Sequence, residues 1–460
     1  MRETGYAYRV NNEAVTTRAG LARQIGLFDA TMIVMGGIVG AGIFINPYVV
    51  AQRVHGPALM LAVWVAGGVV ALLGAFIYAE LGDRMPEVGG QYVYLGAAYH
   101  PAVGFLYGWV LLLVIQTGGM AAVTVTFARY FLELTGLPFS ERWVVFVTLA
   151  LLTGVNCLGV KLGSRVQSVL MVLKIAAIAG LVSAGLFLVK TPHPVLRPVL
   201  GAPPSLGLLT VIGAAMVPVL FSFGGWQTTN FIASEIKDPK RNLAKALIVG
   251  VSGVIALYLL VNLVCIRVLG ADALAQTSVP ASAVMRIVLG EQGARLIALG
   301  IAVSTVGFLS QAILTAPRVY FAMAEDGLFF KSVAYVTEKT RVPVVAIVLQ
   351  SVWAVAVAFT GKYEQILNFV IPIDFFFIGL SASCLFVFRR RERMGLEKAP
   401  ERPGFRVPGH PWTTLLFIAA CWLVVGNTLY TYPGNSLIGV GILLLGLPVY
   451  AFWAKKRRVG

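Results

Sequence analysis

Charged residues in this chain fall in short clusters, and the stretches between them are apolar for roughly 18–25 residues at a time, the length of helix that crosses a ~30 Å hydrocarbon layer. No water inside a bilayer can pair with a free N–H or C=O, so each such run is confined to helix. About twelve runs are present, at 27–50, 58–81, 103–128, 143–160, 166–189, 208–233, 244–266, 294–323, 343–360, 365–388, 412–431 and 436–454. Only 12% of residues are charged, against about 25% in a soluble globular chain. The expected fold is an all-α polytopic membrane protein of about twelve transmembrane helices, called spans 1 to 12 here.

The distribution of charge sets the orientation. With the N-terminus inside, most of the 36 Lys and Arg residues fall in the loops on its side, including Arg389, Arg390 and Arg391. The positive-inside rule therefore predicts a multi-pass protein of the plasma (inner) membrane with both termini cytoplasmic. The net charge of +16 follows from topology and attraction to anionic headgroups, and predicts a lipid bilayer rather than nucleic acid as the partner. No cleavable signal precedes the first run. Cys157, Cys265, Cys384 and Cys421 are scattered through apolar runs without CxxC spacing, so no metal and no cofactor are expected. The chain divides into a cytoplasmic tail (1–23), ten spans (24–190 and 204–390), a Pro/Arg-rich cytoplasmic linker (391–411), a final pair of spans (412–454) and a short cytoplasmic tail (455–460).

Two spans carry residues that weaken helices. Span 1 contains "MGGIVGAGIF", with Gly36, Gly37, Gly40 and Gly42; span 6 contains Pro218 and the pair Gly224-Gly225. Spans 1 and 6 correspond if the first ten helices form two repeats of five, the second inserted from the opposite face. Interrupted helices at matching positions of two halves point to a transporter's binding site. Close packing through Gly36-xxx-Gly40 is the alternative for span 1.

The motifs "GGIVGAGIFINP", "YAELGDRMPEVGGQYVYL", "GVKLGSRVQSVLMVLK", "FSFGGWQTTNFIASEIKDPKRNL" and "PRVYFAMAEDGLFFKSVAYVTEKTRVPV" follow one another from about residue 20 to 390. In this order they resemble the amino acid–polyamine–organocation superfamily, and most of all its L-type amino acid transporter branch. The resemblance implies a LeuT-like core of five-plus-five inverted repeats, with helices 1 and 6 broken at the substrate site and two further C-terminal helices. It implies that the substrate carboxylate meets the N–H groups of Gly40, Ala41 and Gly42, and its ammonium the carbonyls of Ile38, Phe221 and Gly224. Phe221 would be the aromatic gate. Many relatives have serine where this chain has Ala41, so carboxylate recognition here would use backbone alone. The chemistry fits independently, because a half-helix N-terminus offers unpaired N–H groups and a half-helix C-terminus unpaired carbonyls. Trp226 is read as packing, and Gln227 stands where L-type relatives commonly have asparagine.

Three charged residues stand apart. Lys174 lies nine residues beyond Arg165, about 13 Å into the bilayer at 1.5 Å per residue, too deep for its amine to reach water easily. The resemblance implies that it reaches between helices 1 and 8, where sodium-coupled relatives hold sodium. It is either a proton-coupling site or a fixed tether. Asp374 lies about ten residues into span 10, and it either opposes Lys174 or bonds backbone at a gating helix. Glu235, at the cytoplasmic end of span 6, belongs either to a solvated face or to an inner-gate network.

An intramembrane protease is excluded by the absence of HExxH and by the placement of all four histidines outside the spans. No charge ring or carbonyl filter suggests a channel. The expected function is therefore secondary active transport, not catalysis. Neutral amino acids are favoured because Gln227 and Thr228, rather than an acid, occupy span 6 beside the break. Proton-coupled symport is preferred, with sodium-independent exchange as the alternative and amine or polyamine transport behind both. No lone extracellular cysteine indicates an accessory subunit.

Overall fold

A computed structural model of the chain describes residues 21–54, 56–197, 206–360, 363–396, 404–431 and 433–459. Most of the expected N-terminal tail, the middle of the expected linker and the start of the second five-span repeat, residues 204 and 205, lie outside these. Span 1 is two helices, α1 (Leu27–Ile38) and α2 (Gly42–Arg53), bent by 41° at the break between them. Span 2 is α3 (Pro57–Arg84), followed by a short helix, α4 (Gln91–Ala98), that the apolar runs do not reveal. Span 3 joins α5 (Pro101–Val110) to α6 (Gln116–Thr135) through a π-turn at Leu111–Ile115. Spans 4 and 5 are α7 (Glu141–Cys157) and α8 (Val160–Phe187). Span 6 is α9 (Leu206–Ser222), a turn, and a 3₁₀ segment at Trp226–Glu235. Span 7 is α10 (Pro239–Leu274), and span 8 is α11 (Pro280–Thr315) with α12 (Pro317–Glu325). Spans 9 to 12 are α13 (Val344–Phe359), α14 (Tyr363–Arg393), α15 (Trp412–Thr431) and α16 (Pro433–Val459).

Among the described residues nine of these helical runs are long and apolar enough to cross a membrane, and the bent α1–α2 pair supplies a tenth. The remaining two of the expected twelve are α7 and α13, at 17 and 16 residues. The main boundary difference is in span 8, expected to start near 294. Here α11 begins at Pro280 and bends at Gly290, so its first turns precede the apolar run.

Burial along α8 separates lipid-facing from bundle-facing surface. Val169, Val172 and Leu173 are exposed, whereas Gln167, Met171, Lys174, Ile178 and Leu181 are buried. The buried set recurs every three or four residues, which is one face of a helix. Exposed apolar side chains also line α11 (Leu296, Leu299), α13 (Val352, Trp353) and α15 (Leu416, Leu423). Such an outer surface would aggregate in water and is what a hydrocarbon environment requires.

The end of the bundle that carries the N-terminus is closed by polar contacts. The amides of Gln24 and Ile25 donate to the Glu235 carbonyl at 3.0 and 3.1 Å, and the Lys237 amide donates to the Ile25 carbonyl at 2.9 Å. The start of span 1 is thereby stapled to the end of span 6. The Glu235 carboxylate accepts from Arg318 of α12, Nε at 2.7 Å and Nη2 at 3.1 Å, with both side chains fully buried. Of the two expectations for Glu235, the solvated face is replaced by a buried network. Arg318, which falls within the apolar run 294–323, is an interior residue.

A second network lies between spans 2 and 10. Glu80, 1% exposed, accepts from Arg389 at 2.6 Å, from Arg84 at 2.9 Å and from the Val407 amide at 2.7 Å. Glu392 pairs in turn with Arg84 and Arg406. The side-chain bond from Glu392 holds the Arg406 guanidinium above its usual proton affinity. The segment leading into span 11 is thus tied to spans 2 and 10.

Removing one partner of a buried pair strands a charge, at about 3–5 kcal/mol. Arg318→Met and Glu235→Gln should each lower the unfolding temperature of the detergent-solubilised protein, while the double variant should lose less than the sum of the two. Additive losses would show that the two side chains do not act as a pair.

Candidate functional site

The two breaks face one another. The helix of span 1 ends at Ile38 and restarts at Gly42; that of span 6 ends at Ser222, and Gly225 adopts φ +107° before the 3₁₀ segment. A Cβ on Gly225 would lie 2.1 Å from the carbonyl oxygen of Gly37, and one on Gly37 would lie 2.8 Å from that of Gly225. Backbone therefore meets backbone where the breaks cross. The span 1 glycines serve both readings: the chain unwinds after Ile38, and close approach is made to span 6 at Gly37 and to the continuous helix α8 at Gly36, where a Cβ would lie 1.9 Å from Gln167 Nε2.

Each broken end exposes groups that a continuous helix would pair. The amides of Gly40, Ala41 and Gly42 have no backbone partner among the described residues and open the N-terminus of α2. The Ile38 carbonyl accepts from the Tyr258 hydroxyl at 3.0 Å, and the Phe221 carbonyl from the Gly224 amide at 3.1 Å. Each carbonyl oxygen has two lone pairs, so each retains capacity to accept. Ile38, Gly40, Ala41, Gly42, Phe221 and Gly224 are thus gathered around one pair of breaks. The Phe221 ring is 41% exposed, whereas Trp226 and every residue on to Glu235 are buried. Access to the breaks is blocked on the side of the N-terminus.

Lys174 reaches from α8 to the end of α1. Its Nζ donates to the Val39 carbonyl at 2.6 Å and to the Gly36 carbonyl at 3.4 Å. Its stem lies on Gly307 of α11, where a Cβ would stand 2.5 Å from Lys174 Cε. The amine therefore fills the gap between spans 1 and 8 and takes up carbonyls that the break orphans. Ser304 adds a hydroxyl 3.3 Å from the Gly40 carbonyl. Among the described residues no ion pair joins Lys174 to Asp374 across spans 5 and 10. Nor, among the described residues, does a hydrogen bond join Asp374 to backbone, its other suggested role.

Several further residues hold the breaks. Tyr258 of α10 shares its hydroxyl proton between Ile38 and the Ser222 carbonyl, 3.3 Å away, and so bridges both breaks. Its ring stands edge-on to Trp64 and tilts against Phe223. Asn46 donates to Ser222 Oγ at 2.5 Å and to the Pro218 carbonyl at 3.1 Å. Pro218 lacks the N–H that would pair with the carbonyl of Ala214 four residues earlier, and the Arg53 guanidinium donates to that carbonyl instead. Gln311 of α11 donates to Thr228 Oγ1 at 2.5 Å, and Thr228 donates to the Gly225 carbonyl at 2.7 Å. Gln227 Oε1 accepts from the Gly225 amide at 2.9 Å. Trp226 packs edge-on to Tyr78 and against Phe417, the packing role expected of it. Asn46 lay within a quoted motif and carried a visible signal. For Tyr258, in an apolar run, none was available.

A family model described as amino acid permease matches residues 25–452. Over 95% of this chain, the serine/threonine exchanger SteT of Bacillus subtilis is 29% identical, with 98% of its own length covered. The human large neutral amino acids transporter small subunit 2 is 29% identical, with 95% of this chain and 82% of its own covered. The human b(0,+)-type amino acid transporter 1 is 30% identical, with 95% and 90% covered.

The crossing of the breaks yields a direct test by thermal unfolding and substrate protection. Gly225→Ala should abolish the protection given by an amino acid, because its Cβ would strike the Gly37 carbonyl. Gly213→Ala, whose Cβ meets nothing within 4 Å, should behave as wild type. Tyr258→Phe should cost about 1 kcal/mol of stability, and no loss would mean that its hydroxyl bridges nothing.

Proposed function

Because the chain belongs to the amino acid permease family, we propose that it is a secondary transporter moving neutral amino acids across the plasma (inner) membrane by alternating access, with proton-coupled symport as its mode. The observation that carries this reading is the pair of facing breaks, which offers unpaired amides and under-used carbonyls within one site. An amino acid zwitterion needs both. Its carboxylate binds the amides of Gly40, Ala41 and Gly42, where the α2 N-terminus favours an anion. Its ammonium binds the carbonyls of Ile38, Phe221 and Gly224, and the Phe221 ring closes over it as a gate.

Lys174 stands in for a coupling cation, since its ammonium already occupies carbonyls of the broken helix from the direction of span 8. Transport is accordingly sodium-independent. A neutral side chain is supported by the apolar cavity beside the break, lined among others by Leu220, Phe223, Phe375 and Ile378. It is supported as well by Gln227, whose carboxamide oxygen is engaged by Gly225. Breaks in spans 1 and 6 support the division into repeats 24–190 and 204–390. Glu235 belongs to an inner gate, and the preponderance of basic residues on the side of the termini supports their cytoplasmic placement. One relative is named as a small subunit. All four cysteines of this chain lie within helices, which supports operation without a disulfide-linked partner.

Exchange is the second reading, favoured by the relative named as an exchanger. Purified protein in liposomes separates the two. Uptake of a radiolabelled neutral amino acid into empty liposomes under an inward proton gradient, unchanged by removing sodium, is the expected result. Uptake only into liposomes preloaded with amino acid would establish exchange, and sodium dependence would remove the role given to Lys174.

A further inference from the structure

Asp374 is in α14 at mid-membrane depth and is partly exposed. No hydrogen bond or ion pair joins it to any described residue. An unpaired carboxylate there costs at least ~2.5–3.5 kcal/mol on insertion scales. Tyr78 of span 2, Tyr107 of span 3 and Cys421 of span 11 are all buried, and all are near enough to interact with it electrostatically. Among the described residues these are the titratable groups that come near it. Tyr107 donates its hydroxyl to Gln91 at 2.8 Å, and Tyr78 directs its own toward the Ile378 carbonyl at 3.4 Å. Neither is committed to the carboxylate.

The apolar cavity beside the span 6 break adjoins this position. Its walls include Phe375, Ile378 and Cys421 together with Leu220, Gly224 and Gln227. Residue 378 is one helical turn beyond 374 and shares its face of α14. The cavity therefore runs from the span 6 break to the turn of α14 that carries Asp374. Lys174 provides no countercharge, being held on Gly36 and Val39.

We infer that Asp374 carries the coupled proton, and that an apolar substrate side chain entering this cavity promotes proton binding by expelling the water that solvates the carboxylate. A carboxylate that loses its water without gaining a partner is stabilised by a proton. The coupling is reciprocal, so the protonated carrier binds the apolar side chain more tightly. Lys174 remains a fixed ammonium, and Asp374 is the group that changes charge during the cycle. The inference rests on the reading of the breaks as an amino acid site.

The test measures leucine and glycine binding to the purified full-length protein as a function of pH. Leucine affinity should rise as pH falls, by up to about tenfold per pH unit, and glycine, with nothing to fill the cavity, should show a smaller change. Asp374→Asn should bind leucine with little pH dependence, keep leucine–leucine exchange, and lose accumulation driven by a proton gradient. Wild-type pH dependence in Asp374→Asn, or none in the wild type, would overturn the inference. So would lysine binding that Asp374→Asn alone abolishes, since that would assign the carboxylate to a substrate's own charge. Failure of the wild type to bind any amino acid would instead remove the underlying site. Should Asp374→Asn not fold, proton uptake by wild-type protein in weak buffer decides. Leucine should draw a proton from solution and glycine less, and equal uptake, or none, would overturn the inference.

Discussion

Everything in this fold turns on backbone groups left without helical partners inside an apolar bundle. A membrane helix can be interrupted only where other groups take over its N–H and C=O. Around the breaks of spans 1 and 6 those groups are Lys174, Tyr258, Ser304, Gln227 and Thr228, drawn from spans 5, 6, 7 and 8. The Arg53 guanidinium and Asn46 do the same for the carbonyls near Pro218. Once these are counted, the amides of Gly40 to Gly42 remain open and the carbonyls of Ile38 and Phe221 keep accepting capacity. The proposed substrate site is what the surrounding side chains leave unsatisfied.

The same frame supplies two other devices. The closed end of the bundle is built from two pairings, the backbone staple between Ile25 and Ile236 and the buried Glu235–Arg318 pair. Spans 1, 6 and 8 all enter this closure. The Glu80 cluster lies apart, between spans 2 and 10, and ties the lead into span 11 to them. Within it a single buried carboxylate serves two arginines and one amide.

Much of this architecture was legible in the sequence because the membrane leaves so few options. Apolar runs had to be helices, and the glycines of span 1 with Pro218 and Gly224-Gly225 of span 6 pointed to interruptions, close packing being the alternative for span 1. Lys174 was legible as an anomaly, since an ammonium deep in an apolar run demands an explanation, and the motif resemblance supplied its direction. The residues that pair across the fold were not legible. Tyr258 joins a carbonyl 220 positions away, and Arg318 joins Glu235 83 positions away. In sequence the first looks like one more aromatic in an apolar run and the second like a lone basic residue near the end of another. The short helix α4 and the π-turn of span 3 escaped as well, because neither alters hydropathy.

The central claim is that both charges of an amino acid are recognised by the backbone of two facing breaks. It is tested most directly by competition against radiolabelled leucine on the reconstituted protein, using leucinamide, N-acetylleucine and leucine itself. Leucine should displace the label, while both analogues, each lacking one of the two charges, should compete at least tenfold less well, the equivalent of ~1.4 kcal/mol or more. Equal competition by either analogue would contradict the account, because the half of the site assigned to the missing charge would then contribute nothing to recognition.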